Sequence, residues 1–312
     1  MLLRIRQVYQ REFNERMNKL KKSRSFSYAV ICLIYIVAAV AGIVIVNFVK
    51  GPYWVRMLIA YIAAALVAFI CSLILKNPSV SLPYRTFIPI ITVFVLISSY
   101  SINFLKILLI IAICGWGVML TYTYSLKYKN LKRIDWKHKC LMKAFGSSFW
   151  IVSLVVIYII PAVITYTSML PAAGAFTSDS SFSPFSLIFF FAAVGAIVME
   201  RYADYHMNLF QMDLADGYVR GCCRYGLWGN SRHPNYFAEI VFWWAIYFMI
   251  LCSVPSKWYL FFGPLINTLV FVFIRIPLAE MRLSRKTDFK KYKKSTYLLL
   301  PIPKIGGKSR HN

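Results

Sequence analysis

Metal-binding and disulfide patterns are missing from this chain. Its seven cysteines form no C-x-x-C pair and its four histidines are scattered. That removes the spacings of a zinc site and argues against a disulfide framework. No internal repeat, low-complexity tract or linker divides the sequence into independent domains. A cleavable signal pattern is also lacking, because the basic stretch before the first apolar run is too long and the run itself is of spanning length. Alternation of apolar and polar residues is absent too, which excludes the strands of a membrane β-barrel. Acids are scarce, at 11 Asp and Glu against 36 Lys and Arg, giving a net charge of +25. Such an excess can serve nucleic acid. A basic rim beside apolar spans is the ordinary signature of membrane topology and meets anionic lipid headgroups, so no nucleic-acid partner is expected.

What is there is apolar length. Hydrophobic residues make up 59% of 312 positions, the mean hydropathy is +0.60, and the apolar residues fall in long runs. Phe26 to Val49 and Tyr53 to Leu75 are each long enough to cross about 30 Å of hydrocarbon as a helix. A backbone in lipid must satisfy its own hydrogen bonds, so continuous apolar runs mean helices. The expected fold is an all-α, polytopic transmembrane helical bundle of seven or eight spans. The spans expected are 26–49, 53–75, 87–103, 105–126, 145–169, 184–204, 236–254 and 258–277. The third and fourth form one apolar stretch broken only by Ser98, Ser99, Tyr100, Ser101 and Asn103, so a re-entrant element giving seven spans is the alternative.

Charge orients the bundle. With eight spans and a cytoplasmic N-terminus, 32 Lys and Arg fall on the cytoplasmic side, and only Lys50, Arg56, Lys106 and Lys257 on the other. The loop Leu170–Ser183 has neither Lys nor Arg. This is the asymmetry of the positive-inside rule, and it places both termini in the cytoplasm. Residues 1–25 then form a basic cytoplasmic segment, 26–280 the bundle and 281–312 a basic cytoplasmic tail. The stretch Arg4–Arg24 sets Leu3, Val8, Phe13, Met17 and Leu20 against its bases and reads as an amphipathic helix on the membrane surface.

Ionisable residues at membrane depth are candidates for function. Glu200 and Asp204 lie four apart on one helical face, where they can bind ribose hydroxyls or a basic partner, or be solvated at the interface. The loop Gly226–Glu239 (GLWGNSRHPNYFAE) leads through Pro234 into an aromatic helix. Arg224 and Arg232 can neutralise phosphate, helped by free amides at the helix start. Asn235 and Glu239, again four apart, carry polarity into the membrane beside Trp243 and Trp244. Glu239 can also be a helix-start acid favoured by the dipole. The tail, with Ile276–Glu280, Tyr292 and Pro301, reads by charge alone as solvated.

Taken in order, these three groups resemble the steroid 5-alpha-reductase-like membrane reductases, of the DUF1295 or steroid dehydrogenase C-terminal type. The family phrase GLW-x-x-SRHPNYFGE is similar to Gly226–Trp228 and Ser231–Phe237 with Glu239, Ala238 replacing a Gly. An E-x-x-A-D phrase matches Glu200, Ala203 and Asp204, with His206 where members often have Gln. An IPLLE phrase resembles Ile276–Glu280, and a Tyr followed nine residues later by Pro matches Tyr292 and Pro301. Upstream, Ser79-Val80, Pro83-Tyr84 and Pro89 resemble SVYDPYWS-x-x-P, and Asp135–Lys137 resembles E-D-W-R. Gly117, Leu120 and Thr121 resemble G-x-R-L-T-x-N, with Met119 and Thr123 in place of its Arg and Asn, and Leu82 in place of an Asp. The likeness runs over roughly 79–304 and is most specific in the last third.

The resemblance implies NADPH entering from the cytoplasmic side and a hydride passing to a carbon–carbon double bond of a lipid-like enone: steroid, sterol, polyprenol or fatty-acyl. It implies Asp204, Arg224, Arg232, His233, Asn235 and Tyr292 as cofactor-binding residues, and Glu239 and Tyr236 as catalytic ones. It also implies the endoplasmic reticulum in nucleated cells. Arg232→Ala and Asn235→Ala are each expected to weaken NADPH binding with expression intact. Glu239 is expected to be withdrawn from water and tied to a donor. An isoprenylcysteine- or phospholipid-type methyltransferase using S-adenosylmethionine is the rival enzyme, since such proteins also place Arg-His-Pro before a membrane helix. A non-catalytic scaffold or lipid binder of the same fold is the third reading.

Overall fold

The computed structural model describes residues 21–128, 130–179 and 181–303, with the side chain of Lys127 also outside the description. The surface helix expected over Arg4–Arg24 therefore lies outside the described residues except for its last four. Among the described residues there is no β-strand, and one isolated bridge joins Ser231 to Tyr297.

Eight helical segments of the described residues are long and apolar enough to cross a membrane, so the chain is an integral, multi-pass membrane protein. The helices in order are α1 (Arg24–Phe48), α2 (Tyr53–Leu75), α3 (Tyr84–Ser99), α4 (Phe104–Lys127), α5 (Trp136–Phe145), α6 (Phe149–Ser153) and α7 (Ile160–Phe176). They are followed by α8 (Ser186–Ala215), α9 (Pro234–Ser253), α10 (Phe262–Val270), α11 (Ile276–Leu283) and α12 (Phe289–Ser295). A π-helical stretch, Leu154–Ile159, joins α6 to α7, and another, Phe271–Arg275, joins α10 to α11.

The boundaries have local causes. The break between the third and fourth spans is real. Helix α3 ends at Ser99, and the Asn103 side chain accepts the Lys106 amide at 3.0 Å to start α4. The third span begins before residue 87, because Asn77 caps a 3₁₀ turn over Pro78–Ser81 that feeds α3. Helix α8 does not stop at 204 but runs to Ala215 through Arg201, Asp204 and His206. Helix α9 opens with Pro234 at its first position, where a missing N–H costs nothing.

The chain divides into two compact units. The first comprises the residues up to Val95 together with Leu120–Tyr166. Its core is the α1–α2 pair, with Ala38, Ala60, Ala64, Ala65 and Ala68 letting the backbones approach closely. The second comprises Leu96–Met119 and the residues from Thr167 onward. Here α8 and α9 pack along their length. At one end Ser186 donates to the Met249 carbonyl at 2.8 Å and pairs with the Ser253 hydroxyl at 2.9 Å. Near the other end Trp228 Nε1 donates to the Ala203 carbonyl at 2.8 Å, docking the loop before α9 onto α8.

Candidate functional site

Every site residue singled out in the last third of the sequence lies in the second unit, around the loop Gly226–His233 and the first turns of α9. Gly226 has φ +52°, and a Cβ there would lie 2.9 Å from the His206 ring and 3.0 Å from Tyr202. The close approach to α8 therefore requires glycine. Under the loop, Ala203, Phe210, Cys223 and Trp228 form a small apolar core.

Arg232 and His233 are buried and converge on one carboxylate. Arg232 Nε and His233 Nε2 both bond Glu280 Oε1, each at 2.9 Å. Arg232 Nη1 also donates to the carbonyls of Thr296 (2.9 Å) and Lys293 (3.4 Å), leaving Nη2 without a hydrogen bond among the described residues. The tail segment 289–299 straps this loop. Tyr292 donates its hydroxyl to the Trp228 carbonyl at 2.7 Å, with the Ser231 carbonyl at 3.2 Å. Ser231 donates to the Leu299 carbonyl at 2.8 Å, and the Arg232 amide donates to Tyr297 at 2.9 Å. The tail that charge alone reads as solvated thus buries Tyr292 and Thr296.

Arg232 is consequently a structural cation as well as a candidate ligand. Removing one partner of a buried, hydrogen-bonded pair costs about 3–5 kcal/mol. The expectation that Arg232→Ala leaves expression intact has to be revised on that ground.

Helix α9 carries Tyr236 and Glu239 three residues apart on neighbouring positions of its surface, and His233 is the residue just before it. The His233 and Tyr236 rings stack at 5.3 Å and 7°. The Glu239 side chain is 5% exposed, and its Oε2 accepts from Arg275 Nη1 at 3.3 Å. The carboxylate is thus withdrawn from water and tied to a donor, as its position in the sequence requires. The Arg275 guanidinium lies 4.4 Å from the Phe271 ring centre and 5.4 Å from that of Tyr236, and the charge of Glu200 reaches it as well. Asp204, one turn after Glu200, is equally buried. Asn235 Oδ1 is buried and has no hydrogen-bond partner among the described residues.

On the outer side, Arg224 Nη2 pairs with Asp288 Oδ2 at 3.3 Å, and the guanidinium sits over the Tyr292 ring at 5.4 Å. The Arg224 side chain remains 43% exposed. Partial burial would raise the Asp288 carboxyl, but bonds from the Cys222 amide and Arg224 outweigh it and hold the group below the usual range. Burial, with the carboxylate of Asp288 adding to it, pushes the Cys222 thiol up to about 12, and burial pushes Cys223 up to about 11.

Arg275 and Glu280 are the groups that sequence reasoning did not place in the site. Arg275 counted as one base of the cytoplasmic tail, and Glu280 only as part of a phrase. The available signal was an arginine inside the apolar run Phe271–Ile276, where π-helical geometry now turns it inward.

In the first unit, fragments far apart in sequence meet. Ser79 Oγ accepts the Asp135 amide at 2.7 Å and lies 3.1 Å from His138 Nδ1. Thr121 donates to Thr86 at 3.0 Å. This unit also holds a small, half-open apolar pocket of about 40 Å³ lined by Gly42, Met57, Tyr61, Ala64, Ile88 and Thr92 among others, its polar feature a Tyr61–Thr92 hydroxyl pair at 2.8 Å. Among the described residues no group of His, Cys, Asp and Glu is placed to hold a metal.

The family described as "Protein of unknown function (DUF1295)" matches residues 68–296, which take in the whole loop, α9 and the strap as far as Thr296. No curated protein matches the chain, and no solved structure does.

Proposed function

The chain belongs to the DUF1295 family, and on that premise we propose that it is an NADPH-dependent reductase of a carbon–carbon double bond in a lipid-like enone, akin to the steroid 5-alpha-reductases. The observation that carries the reading is the polar cluster at the start of α9: the buried Glu239 paired with the partly exposed Arg275, beside the half-buried Tyr236 and Asn235, whose Oδ1 is itself buried, in otherwise apolar helices. Polar groups are costly at such depth and are retained where they handle a ligand or a proton.

The residues present suit such a cofactor. The buried, unpartnered Asn235 Oδ1 can accept a bond from an amide N–H such as that of a carboxamide. The half-exposed Arg224 and the open Nη2 of Arg232 can face phosphate oxygens. When bound, NADPH supplies a hydride to an electron-poor carbon. The chain's own task is to stabilise the charge that then develops on the carbonyl oxygen. Tyr236 is the group placed for it. Its hydroxyl makes no hydrogen bond among the described residues, and its ring is held between His233 and the Phe271–Arg275 pair. Glu239 fixes Arg275 and keeps the local charge balanced.

The split of 32 bases against 4 supports both termini in the cytoplasm, and the resemblance to the reductase family supports the endoplasmic reticulum of a nucleated cell as the membrane. The experiment is NADPH titration of the purified protein in detergent, followed by a screen of steroid, sterol, polyprenol and fatty-acyl enones for NADPH consumption. Asn235→Ala is expected to raise the dissociation constant on the order of tenfold, the worth of a lost polar contact of about 1.5 kcal/mol. Binding of S-adenosylmethionine in place of NADPH, or of neither, would overturn the proposal.

A further inference from the structure

The fifth candidate span, Trp136–Phe176, contains 41 residues. As one straight helix it would reach about 60 Å, twice the hydrocarbon thickness. It is interrupted at Gly146, whose φ of +49° is a conformation that side-chain-bearing residues seldom adopt. The interruption detaches α5, which differs from every spanning helix in composition. Lys139 and Lys143 share one exposed face four residues apart, with the exposed Cys140 beside them. The opposite face carries the buried His138 and the half-buried Leu141 and Met142, and it ends in Phe145, 45% exposed.

More bases are gathered at the same end of the first unit by buried polar anchors. The Asn77 side chain donates to the carbonyls of Leu131 and Arg133, which brings Lys76 beside Lys132 and Arg133. The Leu131 amide donates to Ser27 Oγ at 3.0 Å, and Arg24 Nη2 donates to the Ser125 carbonyl at 2.9 Å. Asp135 is the one acid of the connection from residue 127 to 148, and it caps α5 by accepting the Lys137 amide at 2.9 Å.

We propose that α5, with Lys132 and Arg133 before it, is a binding site for anionic phospholipid headgroups of the protein's own membrane, with Phe145, Leu141 and Met142 set into the acyl boundary. A basic face, an apolar face and a break before the span are the three features of a helix lying in the interface plane. Anionic lipid is the complementary partner for a surface that carries five exposed bases and one acid. The basic tail helix α12 lacks this design. It holds four lysines, but it begins after the last span has ended and buries Tyr292 against the loop.

The test is lipid retention by the full-length protein, extracted from nanodiscs of phosphatidylcholine with and without phosphatidylserine and weighed by native mass spectrometry. The intact protein is expected to retain phosphatidylserine over phosphatidylcholine, and the preference is expected to fall with added salt. Lys139→Glu with Lys143→Glu should lower it on the order of tenfold. The matched pair Lys290→Glu with Lys294→Glu, also exposed and four apart on α12, should leave it unchanged. Should the reversed α5 pair not give a monodisperse protein, Lys139→Gln with Lys143→Gln is read in its place. Equal loss in the α5 and α12 variants would show a uniform basic rim and overturn the proposal. So would no preference in the intact protein, or displacement of the lipid by inorganic phosphate at matched ionic strength, which would mark a free-anion site.

Discussion

The buried Glu239 and the partly exposed Arg275 pair at 3.3 Å between apolar helices, with Glu200 near enough to add its charge. Glu239→Gln keeps the shape and removes the charge, leaving Arg275 less compensated. On the proposed reductase activity, a folded protein that turns over at least about tenfold more slowly is expected, a barrier increase of ~1.4 kcal/mol. NADPH consumption with the enone found in the screen measures it, and an unchanged rate would reduce Glu239 to a helix-start acid. Cys222 and Cys223 offer a separate check. Their thiols are pushed up to about 12 and about 11, so neither holds appreciable thiolate near neutrality. Maleimide at neutral pH is expected to label the exposed Cys140 and to spare this pair, with peptide mapping as the readout. Asp288 gives a pH dependence of known sign. Its folded-state carboxyl lies below the ordinary value of about 3.9, so its stabilisation is present above that value and lost as pH falls through the folded one. Proteolysis of the tail should therefore accelerate only in that acid range. In Asp288→Asn the acid step should vanish, with the tail already more susceptible at neutral pH.

At the scale of elements, the strap decides how the loop before α9 is held. Segment 289–299 closes over Ser231–His233 through Tyr292, Thr296, Tyr297 and Leu299, and Glu280 of α11 joins Arg232 to His233. Tyr292→Phe removes one hydroxyl and leaves the Trp228 carbonyl without that donor. A loss of about 1–2 kcal/mol is expected, seen as a lower unfolding temperature in detergent and faster trypsin cleavage after residue 294. Arg232→Ala should be more severe, because Glu280 loses one of its two partners and the Thr296 and Lys293 carbonyls lose the guanidinium at the same time. The cleaner probe of cofactor binding is Asn235, whose buried oxygen has no partner within the described residues to disrupt.

For the whole molecule, the proposed orientation with both termini on one side needs an even number of crossings, and the candidate spans among the described residues number eight. An acceptor site for glycosylation placed at Ser178, between the fifth and sixth spans, is expected to be modified in microsomes, while sites in either terminal segment are not. A cytoplasmic Ser178 would invert the orientation. Contacts within the first unit agree with the alternation, since the start of α1 and the end of α4 meet through Arg24, Tyr28 and Ser125, two elements the charge count puts on one side. The family match starts at residue 68, so α1 and most of α2 lie outside it.

The sequence by itself determined that these segments are helices in a membrane. An apolar run of spanning length has no other way to satisfy its backbone, and Tyr53–Leu75 was legible to the residue for that reason. It also marked the loop around Arg232 and the acid at Glu239, because charge in an apolar run is conspicuous. Where helices end was less legible. Arg201, Asp204 and His206 look like an interface, yet α8 continues to Ala215, since Trp228 and its neighbours cover it with protein. Only the tertiary structure decided which charges neutralise one another. Arg275 and Glu239 are 36 residues apart, and Glu280 lies 48 from Arg232 and 47 from His233. No periodicity links positions so distant. Their pairing is settled by a π-helical turn at Phe271–Arg275 and by a strap that folds back on the loop, both products of packing rather than of local pattern.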